Sequence, residues 1–333
     1  QATVDSVARA YRGRAAMAAG EAFDPSPANI DARTVRGQLA NGFKLALLPK
    51  QTRGNQVVAR ISLRHGNLET LTGRNHIAAF MPSMLDKGTR TRSRQQIREE
   101  FDRLKAQVSF AGAGNNIQAS VTTTRENLMP TLRLVGEILK TPTFPAEEFE
   151  ELRRQQLAAI ESNKSEPVAL AATEYQRRMS PYPKGHPLAV TSFEEDIANL
   201  QSMTVAQVRS LYTELVGASY GDLAVVGDFD RAAVEAWAKE TFEGWRSPKP
   251  FARAERQFFD VPQFNVSIET PDKANAFFIA GQNLRLRDDS PDYPALTIGN
   301  FILGGGFLNS RLATRIRQRD GISYGVGSGL GAQ

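Results

Sequence analysis

Two side chains near the end of the sequence have types and spacing suited to peptide chemistry. Arg317 and Tyr324 stand seven residues apart in SRLATRIRQRDGISY, residues 310–324. A guanidinium and a phenol at one edge can both donate to a peptide carbonyl or to an oxyanion. To do so they need a helix that stops and a strand that returns. The sequence supplies signals for both. Gly304 to Gly306 interrupt an apolar run, and Asn309-Ser310 can N-cap a helix. Leu308, Leu312 and Ile316 recur every four residues, which predicts one buried stripe. Gly321 suits a C-cap, and Ile322, Tyr324 and Val326 then alternate with Ser323, Gly325 and Gly327 as in a strand with one packed face. The plainer reading, which residue types alone favour, makes Arg317 one of four arginines on a solvated helix and Tyr324 an ordinary strand aromatic.

Other residues that could do chemistry are few. His76 lies in GRNHIAAFMPSMLDK (73–87), with Phe80 four residues on, so it is no half of a two-histidine helical motif. It reads as a satisfied core or surface residue. Glu147, Glu148, Glu150 and Glu151 open a helix, where the macrodipole favours anions, and read as a solvated start. His186 sits between Gly185 and Pro187 and suits a turn. Gly227 has no second or third glycine of a nucleotide loop after it. There is no cysteine, so thiol nucleophiles, thiolate ligands and disulfides are excluded.

The elements that must position these groups alternate between strand and helix. Thr34 to Leu39, the Asn41-Gly42 turn and Phe43 to Pro49 predict a hairpin. Val57, Ala59, Ile61 and Leu63 face one side of the next strand; Val108–Phe110, Ile117–Thr124 and Leu223–Phe229 add further strands. Helices are predicted over 93–106 with a Ser93/Gln96 capping box, and over 126–140, 145–165, 168–180, 193–200, 205–215 and 232–242. Residues 1–30 form a connector, helical over 4–19 and then broken by two prolines. Residues 246–258 read as a basic, proline-bearing linker. Strands at 264–268 and 276–279 and a helix at 293–302 follow. Gly88 precedes Ser93-Arg94 as Gly305 precedes Ser310-Arg311, which suggests two copies of one unit. The predicted fold class is α+β: two related, sandwich-like domains of mixed or antiparallel sheet packed with helices, at 31–245 and 259–333, the second incomplete.

The 333 residues suffice for two cores; apolar and charged contents of 41% and 23% are those of an ordinary globular chain. The net charge of +5 comes from scattered residues with no aromatic interleaving, so it reads as a solubility property and nucleic acid is not expected as a partner. No apolar run reaches the ~18 residues of a membrane span. The chain starts at Gln1 without Met and stops at Gln333 inside a glycine-rich strand pattern, as expected of a piece of a longer chain.

In order and spacing, MLDKGT (84–89), AVVGDFD (224–230) and the stretch from Gly304 to Tyr324 resemble the C-terminal half of the pitrilysin/insulinase family of zinc peptidases. The resemblance covers nearly the whole chain. It implies that Arg317 and Tyr324 bind substrate and support the transition state across a chamber from a zinc site in the other half. The zinc-bearing half of that family carries His-x-x-Glu-His ahead of its MLDKGT-type turn. Counted back from Met84, the two histidine positions hold Ala79 and Ser83, the general-base position holds Pro82, and the third ligand position, on the helix over 145–165, holds Ala159. Glu161 is near the last but on another face. The resemblance therefore implies a catalytically silent half of a zinc metalloendopeptidase that binds no metal itself, with zinc in an N-terminal half of the same chain or in a partner subunit, and a peptide as substrate. A non-catalytic scaffold or binding subunit is the alternative. The resemblance also suggests an exported, periplasmic bacterial location, with a cytoplasmic one left open.

Overall fold

The computed structural model describes residues 19–332; the helical pattern predicted over 4–19 falls almost wholly outside them. Two compact units are present. The first takes in residues up to 256 together with 267–279, and the second takes in 257–266 and 280–333.

The first unit is built on one six-stranded sheet. Its strands are β1 (Val35–Gln38), β2 (Lys44–Pro49), β3 (Gln56–Arg64), β4 (Gln107–Gly112), β5 (Asn116–Thr124) and β6 (Gly221–Gly227), in the spatial order β1-β2-β6-β3-β5-β4. All neighbours are antiparallel except β2 and β6, which run parallel with Leu45 opposite Leu223 and Leu47 opposite Val225. Gly42 turns the first hairpin at φ 97°, a left-handed backbone that glycine adopts without strain. Gly227 ends β6 at φ 136°, where a Cβ would lie 2.4 Å from the Gln56 carbonyl oxygen, so close backbone approach explains this glycine and no phosphate loop is involved.

The strand periodicity decides which face is covered. Val57, Ala59, Ile61 and Leu63 of β3, Leu223 and Val225 of β6, and Ile117, Ala119 and Val121 of β5 are all at most 1% exposed. Helices cover this face: α2 (Leu68–Leu71), α3 (Asn75–Phe80), α4 (Arg94–Arg103), α5 (Arg125–Lys140), α6 (Ala146–Asn163), α8 (Phe193–Ser202), α9 (Val205–Leu215) and α10 (Arg231–Phe242) pack around the shared core, to which α1 (Pro27–Arg33) and α7 (Pro167–Met179) contribute no residue. Ser93 closes the capping box that the sequence predicts; Ser192 and Thr204 close two more, and Asp230 accepts from the Ala233 N–H. On the sheet's other face Val58 and Val226 are 48% and 42% exposed.

The stretch 259–333 departs from expectation. It has a helix, α11 (Tyr293–Asn300), followed by π-helical turns at Phe301–Gly305 and Ala313–Arg319. Among the described residues none of the strands predicted at 264–268, 276–279 and 322–326 forms. Alternation marks a face that needs cover, and here Phe278, Ile322 and Tyr324 are 86%, 75% and 84% exposed, with no strand beside them to pair. The stripe Leu308-Leu312-Ile316 is likewise not buried: Leu308 is exposed and the other two are half-buried, and the segment is a 3-10 turn followed by a π-helical one, not one regular helix.

Candidate functional site

In the second unit Ser310 is the helix cap that the sequence predicts; its Oγ accepts from the Ala313 N–H at 3.2 Å. It thereby plays the same role as Ser93, whose Oγ accepts from the Gln96 N–H. Asn309, the other candidate, is exposed. In the glycine run a Cβ would stand 2.5 Å from the Ser328 N at Gly304 and 2.9 Å from the Phe301 carbonyl oxygen at Gly306, so both positions require glycine. The widened turn ends at Asp320, whose carboxylate pairs with Arg315 at 2.9 Å, and Gly321 follows at φ 65°. The Ile322 N–H then reaches back to the Ile316 carbonyl at 3.1 Å.

This reversal brings the two candidate residues together without a strand. The Arg317 guanidinium carbon lies 4.3 Å from the centroid of the Tyr324 ring. At an exposed site such stacking contributes ~0.5–1 kcal/mol, enough to bias both side chains toward one arrangement. Among the described residues neither the guanidinium nor the phenol hydroxyl has a protein hydrogen-bond partner, so both keep their donors.

The positions that would hold zinc are in the first unit and lack the chemistry. Ala79 and Ala159 are exposed alanines, Ser83 is half-buried, and Pro82 is buried. None supplies an imidazole or a carboxylate, so these residues do not fit a zinc ion. The backbone does not fit either. The α-helical turn α3 gives way at Met81 to a 3-10 helix, Met81–Lys87. Residues four apart are about 120° apart around a 3-10 helix, against about 40° around an α-helix, so Ala79 and Ser83 do not share a face as two ligands must. Pro82 also abuts β4, where a Cβ built on Gly112 would lie 2.6 Å from the proline Cγ. His76 is half-buried and its pKa is lowered, mainly by burial, with Asp196 opposing; Glu161 pairs with Lys164 at 3.8 Å. Among the described residues no three His, Asp or Glu side chains gather as a metal site. His186 accepts from the Leu188 N–H at 3.0 Å and stacks on Tyr182, a turn role.

The MLDKGT turn beside these positions is a structural anchor. Met84 and Leu85 are fully buried, and Thr89 and Thr91 each donate to Glu137 of α5 at 2.6 Å. Arg92 completes the cluster. Burial works to raise the Glu137 pKa, yet the hydrogen bonds from Thr89, Thr91 and Arg92 hold it below the usual carboxylate range.

Residues 202–333 match the family model for the peptidase M16 inactive domain. That stretch is similar to the M16 inactive domain. A zinc protease of uncharacterised function from Rickettsia bellii is 24% identical over 280 residues, 82% of this chain and 63% of that protein. YmxG of Helicobacter pylori, named as a non-peptidase homolog, is 22% identical over 262 residues, covering 75% and 56%. The chain thus spans less than two thirds of the length of these two relatives. A crystal structure of a peptidase M16 inactive domain from Pseudomonas fluorescens superposes with a TM-score of 0.71 at 24% identity, over 90% of this chain and 71% of that one. The α+β fold is accordingly that of M16 inactive domains.

Sequence reasoning passed over three features. His65 is 1% exposed and neither ring nitrogen makes a hydrogen bond of good geometry. Burial lowers its pKa, with the Leu63 and Gly114 backbones opposing. Its odd number continues the inward-facing set of β3, a signal that was available. Glu214 of α9 is held by Arg74 through two hydrogen bonds and by Lys249 at 2.5 Å. The third feature is a cleft on the sheet's exposed face, lined in part by Tyr220, Phe251 and Arg253.

Proposed function

We propose that this M16 inactive domain is the peptide-holding half of a zinc endopeptidase whose metal lies in another half or subunit. The observation that carries this reading is the stacking of Arg317 on Tyr324 with both sets of donors free. Tyr324 is 84% exposed and the guanidinium lies over its ring, so an extended peptide carbonyl can accept from either group. Arg317 offers a planar fork of N–H groups and Tyr324 one O–H, and the stack biases their relative orientation before substrate arrives. In this reading the pair supports negative charge on the carbonyl oxygen as it develops, while Ala79, Pro82, Ser83 and Ala159 leave the metal chemistry to the partner. The test is turnover by the complete zinc-bearing assembly. Arg317→Ala and Tyr324→Phe are expected to lower kcat by ~10²–10³ with the assembly intact, the usual cost of an oxyanion donor. Unchanged turnover in both variants refutes the role.

A scaffold reading has one observation in its favour: the relative named as a non-peptidase homolog. It predicts that the partner of this chain carries no His-x-x-Glu-His, and that neither variant alters any hydrolysis.

A further inference from the structure

The exposed face of the sheet holds a cleft that the Arg317–Tyr324 pair does not explain. It has a volume of about 930 Å³ and lies wholly in the first unit, between the β1–β2 hairpin, the start of β6 and residues 251–253. Four cations line it, Arg36, Lys44, Arg64 and Arg253, against one carboxylate, Asp222. That carboxylate is already taken by Arg64 at 2.5 Å. Arg36 reaches Asp31 at 2.7 Å, with both side chains more than half exposed. Among the described residues neither Lys44 nor Arg253 has an acidic partner within ion-pair distance. An excess of cations in a concave site concentrates positive potential there. One wall is aromatic: the rings of Tyr220 and Phe251 lie 5.9 Å apart, and Tyr220 is 38% exposed. On the floor Gly37, Ala46 and Ala224 are too small to fill the space.

We propose that this cleft docks an extended acidic peptide segment. Its carboxylates meet Lys44 and Arg253, and an apolar side chain rests on Tyr220 and Phe251. An extended chain suits the place because β1 is an edge strand, whose outer backbone groups have no strand partner among the described residues. The charge excess argues against a second copy of this chain, which would bring its own net charge of +5. The proposal uses neither Arg317 nor Tyr324 and stands apart from the function proposed above.

The experiment is a fluorescence-anisotropy titration of the 333-residue chain. The probes are a labelled decapeptide alternating Glu with Phe, and its counterpart with Lys in place of Glu. The acidic probe is expected to bind at least about tenfold more tightly, with affinity falling as salt is raised from ~50 to ~300 mM. Lys44→Glu with Arg253→Glu should abolish or invert that preference; both side chains are exposed, so the fold should tolerate the change. Lys44→Arg with Arg253→Lys should retain it. Phe251→Ala, which keeps every charge, should weaken the acidic probe while leaving the sign preference. Equal affinity for both probes overturns the proposal, as does an affinity untouched by the charge reversal. So does a single-stranded oligonucleotide of equal charge that binds as tightly as the acidic probe, or self-association through these residues.

Discussion

Replacing Glu214 with Gln should loosen the segment that carries the cleft's outer wall. Glu214 on α9 accepts from Arg74, at the start of α3, at 2.8 and 3.2 Å, and pairs with Lys249 at 2.5 Å. Its pKa is lowered to about 2 by hydrogen bonds from Arg74 and then Lys249. A carboxyl held at about 2 instead of the usual 4.5 sets an upper bound of ~3.4 kcal/mol at ~1.36 kcal/mol per pH unit. The partners are 36% and 44% exposed, so solvent screens the interaction, and Gln keeps an acceptor. The expected loss at pH 7 is therefore about 1–2 kcal/mol. The folded pKa lies below the unfolded one, so the unfolded chain binds more protons between them. The stabilisation is complete above about 4.5 and disappears as pH falls toward 2, so the difference between native and Glu214→Gln protein should shrink by more than half by about pH 3. Urea unfolding followed by tryptophan fluorescence measures this in the first unit alone, because both tryptophans, Trp237 and Trp245, belong to it. No loss at pH 7, or a gap as wide at pH 3 as at pH 7, refutes the reasoning.

Two further outcomes follow from the first unit. His65→Leu removes two nitrogens that lack good partners, and it should leave the protein as stable or more stable at pH 7. The native imidazole's pKa is lowered by burial, so native stability should fall as pH drops through about 6.5 while the variant escapes that step; thermal melts at pH 5, 6 and 7.5 that run parallel would contradict it. Grafting Ala79→His, Pro82→Glu, Ser83→His and Ala159→Glu together should not create a stoichiometric zinc site by elemental analysis, because the 3-10 turn and the packing against Gly112 hold the wrong geometry.

How much the sequence revealed depended on whether a feature is local. The inward set Val57, Ala59, Ile61, Leu63 and the Ser93/Gln96 capping box are written in neighbouring residues, and both appear as read. The prolines near residue 26 misled: Pro27 opens α1 at a first-turn position, where its missing N–H costs nothing. The insertion of β6 between β2 and β3 has no local signature, since pairing over such a distance is settled by the assembled core. The second unit shows the converse. The alternation at Ile322, Tyr324 and Val326 states what the segment needs, but cannot supply the neighbouring strand. For the candidate pair, the Gly321 reversal was legible and the stack of ring on guanidinium was not. The absence of metal ligands could be read directly from residue types, whereas the helix change that also spoils their geometry could not.

Five strands of the sheet are complete by Thr124, yet β2 and β3 are not joined into one sheet until Gly221–Gly227 pairs with both. A ribosome making this chain must therefore emit helices α5 to α9 before the two halves of the sheet can be joined. Until then two long rows of unpaired amides and carbonyls stay open to solvent, and to each other's copies. A truncation ahead of Gly221 should accordingly produce a sticky, aggregating product that recruits holdase chaperones, in contrast to a smaller soluble domain.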